Sequence, residues 1–334
     1  MRVLVTGGTG FVGSHSVRAL RAAGHELRLL ARSAAKVERV FPGADPGELV
    51  IGDVTDPTAV TKALDGVDTV VHCAAVVAIE ARRAHEVRET NLRSVELVVG
   101  AAADRGMGAI VYVSSLAALF APGAPIDEHS PIGVTHSPYA RSKADGESYV
   151  RRLQEAGAPV RTVYPPAVIG PDDPGLSEAN HAIRAFLTQL MLDTATGFEV
   201  VDVRDLAALI AALVAPGAAP GRYVVSSHYR PWADTIALID ELTGRRVRRV
   251  RINGGLLRGL GRVGDVVKRV YPFDFPLSYE AMQFTTQWPG AVRSPAIDAL
   301  GIRFRDDRET YADTIRWLFR AGHLTRDEAG KLAD

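Results

Sequence analysis

The sequence predicts an α/β protein, a doubly wound parallel sheet joined to a smaller, mixed C-terminal lobe. Three observations predict it. Short, continuous apolar runs alternate with helical patterns through the first half of the chain, as in strands buried on both faces by helices. The first run, Arg2–Thr6, breaks into a turn with Gly7, Gly10 and Gly13 at G-x-x-G-x-x-G spacing. After about Val163 the alternation gives way to a loop crowded with Pro165, Pro166, Pro171 and Pro174.

Each element follows in order. Gly7 lets the chain leave the first strand in a tight turn, Gly10 leaves room for backbone to approach a pyrophosphate, and Gly13 lets the first helix lie close to the strand. Helix-spaced Val17, Leu20 and Ala23 follow, with Gly24 as a stop. Leu27, Leu29 and Leu30 make a second strand, and Leu49–Ile51 a third. A helix over Asp56–Leu64 has Asp56 as N-cap and Pro57 in its first turn. Thr69–Val71 reads as a buried strand, Ala81–Asp104 as a long helix, and Ala109–Val113 as the next strand. The remainder carries helices over Asp205–Val214, Trp232–Leu242 and Tyr311–Phe319 and a strand over Tyr223–Ser226. The expected division is a nucleotide-binding domain over 1–164, with 197–227 returning to it, and a substrate lobe over 165–334.

Bulk composition narrows the function class. The 334 residues are 47% hydrophobic and 23% charged, a globular balance. Lys plus Arg and Asp plus Glu are equal at 39 each, so nothing in net charge suggests a nucleic-acid partner. The single cysteine, Cys73, excludes an internal disulfide and fits a reducing cytoplasm. No window has the length of a transmembrane helix, no leader is expected before the first strand, and no metal-ligand pattern stands out.

A second motif, Tyr139-Ala140-Arg141-Ser142-Lys143, follows Pro138, which suits a helix start. Tyrosine and lysine four apart share a helix face. Free tyrosine titrates near pH ~10 and is a poor acid or base at neutrality. A neighbouring ammonium is expected to lower that value, so that Tyr139 can exchange a proton with a substrate oxygen. Ser114 and Ser115 end the strand closing at Val113, where ligands bind in open α/β sheets. Ser115 is taken as the donor that polarises a carbonyl.

The chain resembles the extended short-chain dehydrogenase/reductases of the NAD(P)-dependent epimerase/dehydratase superfamily, with a Rossmann nucleotide-binding fold. The resemblance rests on Gly7-Gly8-Thr9-Gly10-Phe11-Val12-Gly13, Gly52-Asp53-Val54, His72-Cys73-Ala74-Ala75, Asn91, Ser114-Ser115, Tyr139 with Lys143, Pro165–Pro171 and Asp202–Ala207. It implies that the turn from Gly7 to Gly13, with Thr9, Phe11 and Val12, holds the cofactor phosphates. It also implies adenine contacts from Asp53 and Val54, and that Cys73, Ala74 and Ala75 line the middle of the cofactor. Tyr139 becomes the acid/base, Lys143 its activator and ribose ligand, and Ser115 the polarising donor. Backbone around Tyr164, Pro165, Ala167 and Val168 would hold the nicotinamide carboxamide. Asn91 would be structural or part of a water relay beside the cofactor, with Ser114 near it. Two departures argue against a sugar-type site: Tyr164 stands where the family often has arginine, and Leu116 where many nucleotide-sugar enzymes have serine or threonine. The helices 81–104 and 138–156 pair across subunits in many relatives, which implies a homodimer.

The second strand ends Leu29-Leu30-Ala31-Arg32-Ser33, without the carboxylate that bonds an NAD ribose. Arg32, with Ser33 beside it and Lys36 in reach, suits a 2′-phosphate and points to NADP rather than NAD. Val76, Val77, Ala78, Ile79, Leu119 and Phe120 suggest an apolar pocket, and Gly197–Asp202 lacks the basic and aromatic pattern common there in sugar epimerases. Asn180 is one candidate phosphate ligand, or a loop residue. The expectation is an NADPH-dependent carbonyl reductase, or alcohol dehydrogenase in reverse, of the dihydroflavonol-reductase-like or hydroxysteroid-dehydrogenase-like branch. Two alternatives stay open: a nucleotide-sugar epimerase or dehydratase with retained NAD, and a non-enzymatic NADP-binding redox sensor. The amphipathic segment Leu256–Phe275 reads as a packed helix, a mobile lid or a membrane-touching helix.

Overall fold

The computed structural model describes residues 1–76, 84–134, 137–270 and 279–333. Seven parallel strands form its main sheet: β1 (Arg2–Thr6), β2 (Glu26–Ala31), β3 (Glu48–Ile51), β4 (Thr69–His72), β5 (Ala109–Val113), β6 (Val160–Tyr164) and, much later in the chain, β10 (Gly221–Val224). Their order is β10-β6-β5-β4-β1-β2-β3, which reverses direction between β1 and β4. Between them in sequence come β7 (Ala167–Ile169), β8 (Met191–Asp193) and β9 (Gly197–Asp202); β11 (His228–Pro231) and β12 (Arg249–Arg251) follow. β11, β9 and β7 form a three-stranded sheet, and β12 pairs with β8.

Register explains why the apolar runs are continuous. Val5 lies beside Leu29 and Val71, and Val71 beside Val111. This row packs under the helices Phe11–Ala22 and Val203–Val214, through Val17, Leu20, Leu206 and Ile210. Leu4, Val70 and Ile110 form the neighbouring row and face the opposite way, into Val60, Leu64, Val98 and Val150. With both faces covered, alternate residues are all apolar.

Capping moves several helix starts upstream of their apolar stripes. The helix expected from Asp205 begins at Val203, because Asp202 accepts from the Arg204 amide at 2.8 Å. That expected from Tyr311 begins at Asp307, capped by Asp306 through the Arg308 amide at 2.8 Å. The helix starting at Trp232 runs one residue further than expected, to Thr243, and stops at Gly244, whose φ is +68°. The strand expected over Tyr223–Ser226 is shifted two residues upstream, to Gly221–Val224.

The long helix expected over 81–104 is described from Ala84, and residues 81–83 lie outside the described residues. It widens into a π-helical turn at Glu96–Gly100 before ending as Ala101–Asp104. There a Cβ on Gly100 would stand 2.3 Å from the Tyr149 hydroxyl on the neighbouring helix Pro138–Glu155, so a larger residue would have to displace that side chain. Within 197–227, β10 and the helix before it join the first lobe, whereas β9 pairs in the smaller sheet. Ile183, Trp232, Ile236, Tyr311 and Ile315 centre the second core.

Candidate active site

Because all main-sheet strands are parallel, their carboxyl ends share one edge. Gly7, Arg32, Gly52, Cys73, Ser114 and Pro165 each follow a strand there within a residue. The site is therefore assembled from six separate stretches of chain at the switch in strand order, where open α/β sheets bind ligands.

At β1 the turn closes with the Gly10 amide donating to the Gly7 carbonyl at 2.9 Å. Gly7 has φ +72°, and a Cβ there would lie 2.6 Å from the Ala74 amide nitrogen. A Cβ on Gly13 would lie 2.1 Å from the Gly7 carbonyl oxygen, so the helix can approach the strand only with glycine at this position. The helix it opens has neither a side-chain cap nor an acidic residue in its first turn. Its first amides and dipole are thus left for an anion, with half-buried Thr9 and Val12 and buried Phe11 around them.

Arg32 is exposed, with no side-chain hydrogen bond or ion pair among the described residues. Ser33 caps the next helix, accepting from the Lys36 amide at 3.3 Å. Asp53 folds onto its own turn, its Oδ1 accepting from the Thr55 amide at 2.9 Å and hydroxyl at 2.7 Å. Burial pushes the Asp53 carboxyl up, but the Thr55 bonds and the Arg32 charge outweigh it and hold the group below its ordinary value. Val54 packs on the core beneath.

Past β4, the Cys73 amide donates to the Thr6 carbonyl at 3.1 Å, and Ala74 and Ala75 continue along the cleft edge. The half-buried Cys73 thiol is pushed up to about 12 by burial and is no thiolate nucleophile. Asn91 accepts from the Val76 amide at 2.7 Å and donates to the Val76 carbonyl at 3.0 Å and the Ser142 hydroxyl at 2.9 Å. Its amide ties the cleft edge to the helix Pro138–Glu155. Val77, Ala78 and Ile79 lie outside the described residues.

The candidate reactive groups come from two elements. Ser115 caps a short 3-10 turn, its Oγ accepting from the Ala117 amide at 3.2 Å, while Ser114 is buried just behind it. Tyr139 sits in the first turn of the helix Pro138–Glu155, whose N-cap is Ser137, with the Ser115 side chain near enough to its phenol to favour the ionised form. Lys143, one turn on and buried, donates from Nζ to the Val113 carbonyl at 3.0 Å and lies 5.6 Å from the centre of the Tyr112 ring. The expected lowering of Tyr139 by Lys143 does not occur. Burial raises the phenol above its ordinary value, opposed by Ser115 alone. Burial likewise pushes the Lys143 ammonium down to about 8, and its donor is directed at the Val113 carbonyl.

The Tyr164 side chain is taken up inside the fold. Its ring is fully buried, and its hydroxyl donates to Glu147 Oε1 at 2.6 Å while its carbonyl accepts from the Val225 amide at 3.0 Å. Pro165 uses its carbonyl on the Leu116 amide at 3.0 Å; Ala167 and Val168, half-buried in β7, lead away from it. Asn180 is a structural residue, fully buried and bonded to both backbone groups of Gly170 and to Asp173.

Three residues escaped the sequence reading. Glu147, fully buried one turn beyond Lys143, accepts from Tyr164 and from Arg151 Nε at 2.7 Å. The spacing Tyr139, Lys143, Glu147 was a usable signal for it. Phe284 and Trp288 stack on Phe120, with ring centres 4.3 Å and 5.6 Å away, and Trp288 Nε1 donates to the buried Glu199 at 3.0 Å. This apolar wall joins the second lobe to the loop five residues beyond Ser115, and no local pattern announced it.

Residues 3–226 match the NAD dependent epimerase/dehydratase family, and the chain belongs to that family. It is an NAD(P)-dependent enzyme of the extended short-chain dehydrogenase/reductase type. The chain is similar to Sterol demethylase protein B of Methylococcus capsulatus, 28% identical over 97% of this chain and 100% of that one. It is 30% identical to a 2-alkyl-3-oxoalkanoate reductase of Stenotrophomonas maltophilia over 52% of each chain. Among solved structures, gox2253 superposes with a TM-score of 0.82 at 26% identity, covering 97% of this chain and 99% of that one.

Proposed function

We propose that the protein is an NADPH-dependent carbonyl reductase, reversible as an alcohol dehydrogenase, acting on a mostly hydrophobic ketone or secondary alcohol. The observation that carries this reading is the convergence of the Ser115 and Tyr139 hydroxyls beside a lysine on the same helix face. When bound, the nicotinamide ring supplies or accepts the hydride. The residues present fit such a group: a Cβ would fill the cradle at Gly7 and Gly13, and the helix amides behind Gly10 carry no internal cap.

In reduction, the Ser115 hydroxyl donates to the carbonyl oxygen and Tyr139 Oη gives it the proton. The upward shift of Tyr139 keeps the phenol protonated at neutral pH, which suits an acid. Lys143 presents its ammonium one turn away, where it would hold ribose hydroxyls. Arg32 would pair with a 2′-phosphate, since no carboxylate follows β2 to take a ribose hydroxyl.

The apolar substrate class is supported by the wall of Phe120, Phe284 and Trp288. Phe198, in the segment where a basic residue would serve a sugar diphosphate, instead packs between Phe186 and Trp232. The test is a screen of apolar ketones followed at the NADPH absorbance band, repeated with Tyr139→Phe. Turnover of at least one ketone is expected, falling by about 10²–10⁴-fold in the variant with cofactor affinity kept. NAD released from the denatured pure protein, with no ketone turned over, would overturn the reading in favour of a sugar epimerase or dehydratase.

A further inference from the structure

The helix Gly254–Val270 is amphipathic in an unusual sense: apolar residues lie on both its sides. Leu257, Gly261 and Gly264 are buried, and the helix packs on its neighbour Tyr279–Gln287, where Met282 is buried. Leu256, Leu260 and Val263, spaced for a single face, are 59%, 43% and 61% exposed. Arg258 bonds the Thr286 hydroxyl at 2.8 Å, and Arg262 lies 4.5 Å from the centre of the Tyr279 ring. The stripe is therefore held outward on a helix fixed from behind.

Charge is concentrated beside it. Between Leu242 and Gly264 the chain carries seven arginines and no acidic residue, although the whole chain balances 39 basic against 39 acidic residues. Arg246, Arg248, Arg249 and Arg251 are exposed, without a side-chain hydrogen bond or ion pair among the described residues, and Val250 between them is 48% exposed. β12, which holds three of these residues, ends two residues before the helix begins.

We propose that this face docks the protein reversibly on an anionic membrane surface. Aliphatic side chains on one face of a fixed helix suit the acyl boundary, and unpaired guanidinium groups suit lipid phosphates. An acidic protein partner would call for the arginines but not the exposed stripe, and a partner helix for the stripe but not the unpaired arginines. No helix of the described residues is long and apolar enough to cross a membrane, so the mode is surface adsorption. The neighbouring helix and the residue just after it carry Phe284 and Trp288 onto Phe120, so the docked face is one helix away from the apolar wall. Docking itself does not depend on the activity proposed above.

The test is flotation of the full chain on phosphatidylcholine vesicles with and without about 30% phosphatidylglycerol, at about 100 mM NaCl. Partition onto the anionic vesicles is expected to exceed that onto neutral ones by at least about tenfold. Leu256→Ser/Leu260→Ser/Val263→Ser should cut it by about tenfold or more. Arg246→Gln/Arg248→Gln/Arg249→Gln/Arg251→Gln should bring it to the neutral-vesicle level, each arginine being worth about fivefold. Cofactor titration checks that each variant is folded, and the arginine variant alone carries the test if the other is not. Failure of the wild type to float on anionic vesicles, or undiminished flotation of the folded variants, would overturn the proposal. So would a fall in oligomeric state of the serine variant by light scattering, which would make this face a contact between copies of the chain.

Discussion

Replacing Arg32 with alanine isolates the choice of cofactor from every other property of the site. Arg32 is exposed and has no side-chain hydrogen bond or ion pair among the described residues, so its loss should change stability by no more than ~0.5 kcal/mol. Arg32 acts electrostatically on Asp53, whose carboxyl is held mainly by Thr55 and keeps its turn without Arg32. A charge-assisted bond to a phosphate is worth about 1.5–3 kcal/mol. At about 1.4 kcal/mol per tenfold, the variant should bind NADPH about 10–150-fold more weakly. NADH lacks the 2′-phosphate, so its affinity should stay within about twofold. Isothermal titration of both cofactors on wild type and variant, with a melting curve for each, decides it. Equal weakening of both cofactors would mean that Arg32 acts through the fold. Tighter binding of NADH than NADPH by the wild type would refute the argument at its root.

Two further predictions probe the helix Pro138–Glu155. Burial lowers Lys143 from 10.5 to about 8, so its charge opposes folding fully below pH 8 and the penalty fades as pH rises toward 10.5. Lys143→Met should therefore gain up to about 3 kcal/mol at pH 7 but only about 1 kcal/mol at pH 10, by urea unfolding. A gain that does not shrink with pH would contradict the assignment. Glu147→Ala leaves the Tyr164 hydroxyl buried without its acceptor and Arg151 without its carboxylate, and should cost about 2–4 kcal/mol. Glu147→Gln keeps one acceptor and should cost clearly less; equal losses would place the effect elsewhere.

Much of the site was legible because its residues are held by local geometry. The glycines at positions 7 and 13 reflect approach distances that no Cβ permits. Tyr139 and Lys143 share a face because any helix puts residues four apart together. The Tyr164 ring was not legible, because its chain position at the end of β6 says nothing about which side its ring takes; its hydroxyl meets Glu147. The protonation state of Tyr139 was misread for a related reason. Proximity to a lysine argues for a lowered value, but the sign depends on burial and on where Nζ points.

By itself the sequence determined the parallel sheet, the glycine turn and the residue types at the candidate site. These depend on period, turn chemistry and spacing within about thirty residues. Tertiary structure alone decided which hydroxyls meet, since Ser115 and Tyr139 stand on different elements. It also brought Phe284 and Trp288 from far along the chain onto Phe120, and left Leu256, Leu260 and Val263 uncovered. Packing between distant segments leaves no periodic trace in either one, because each apolar residue reads the same whether it meets a core, a substrate or a membrane.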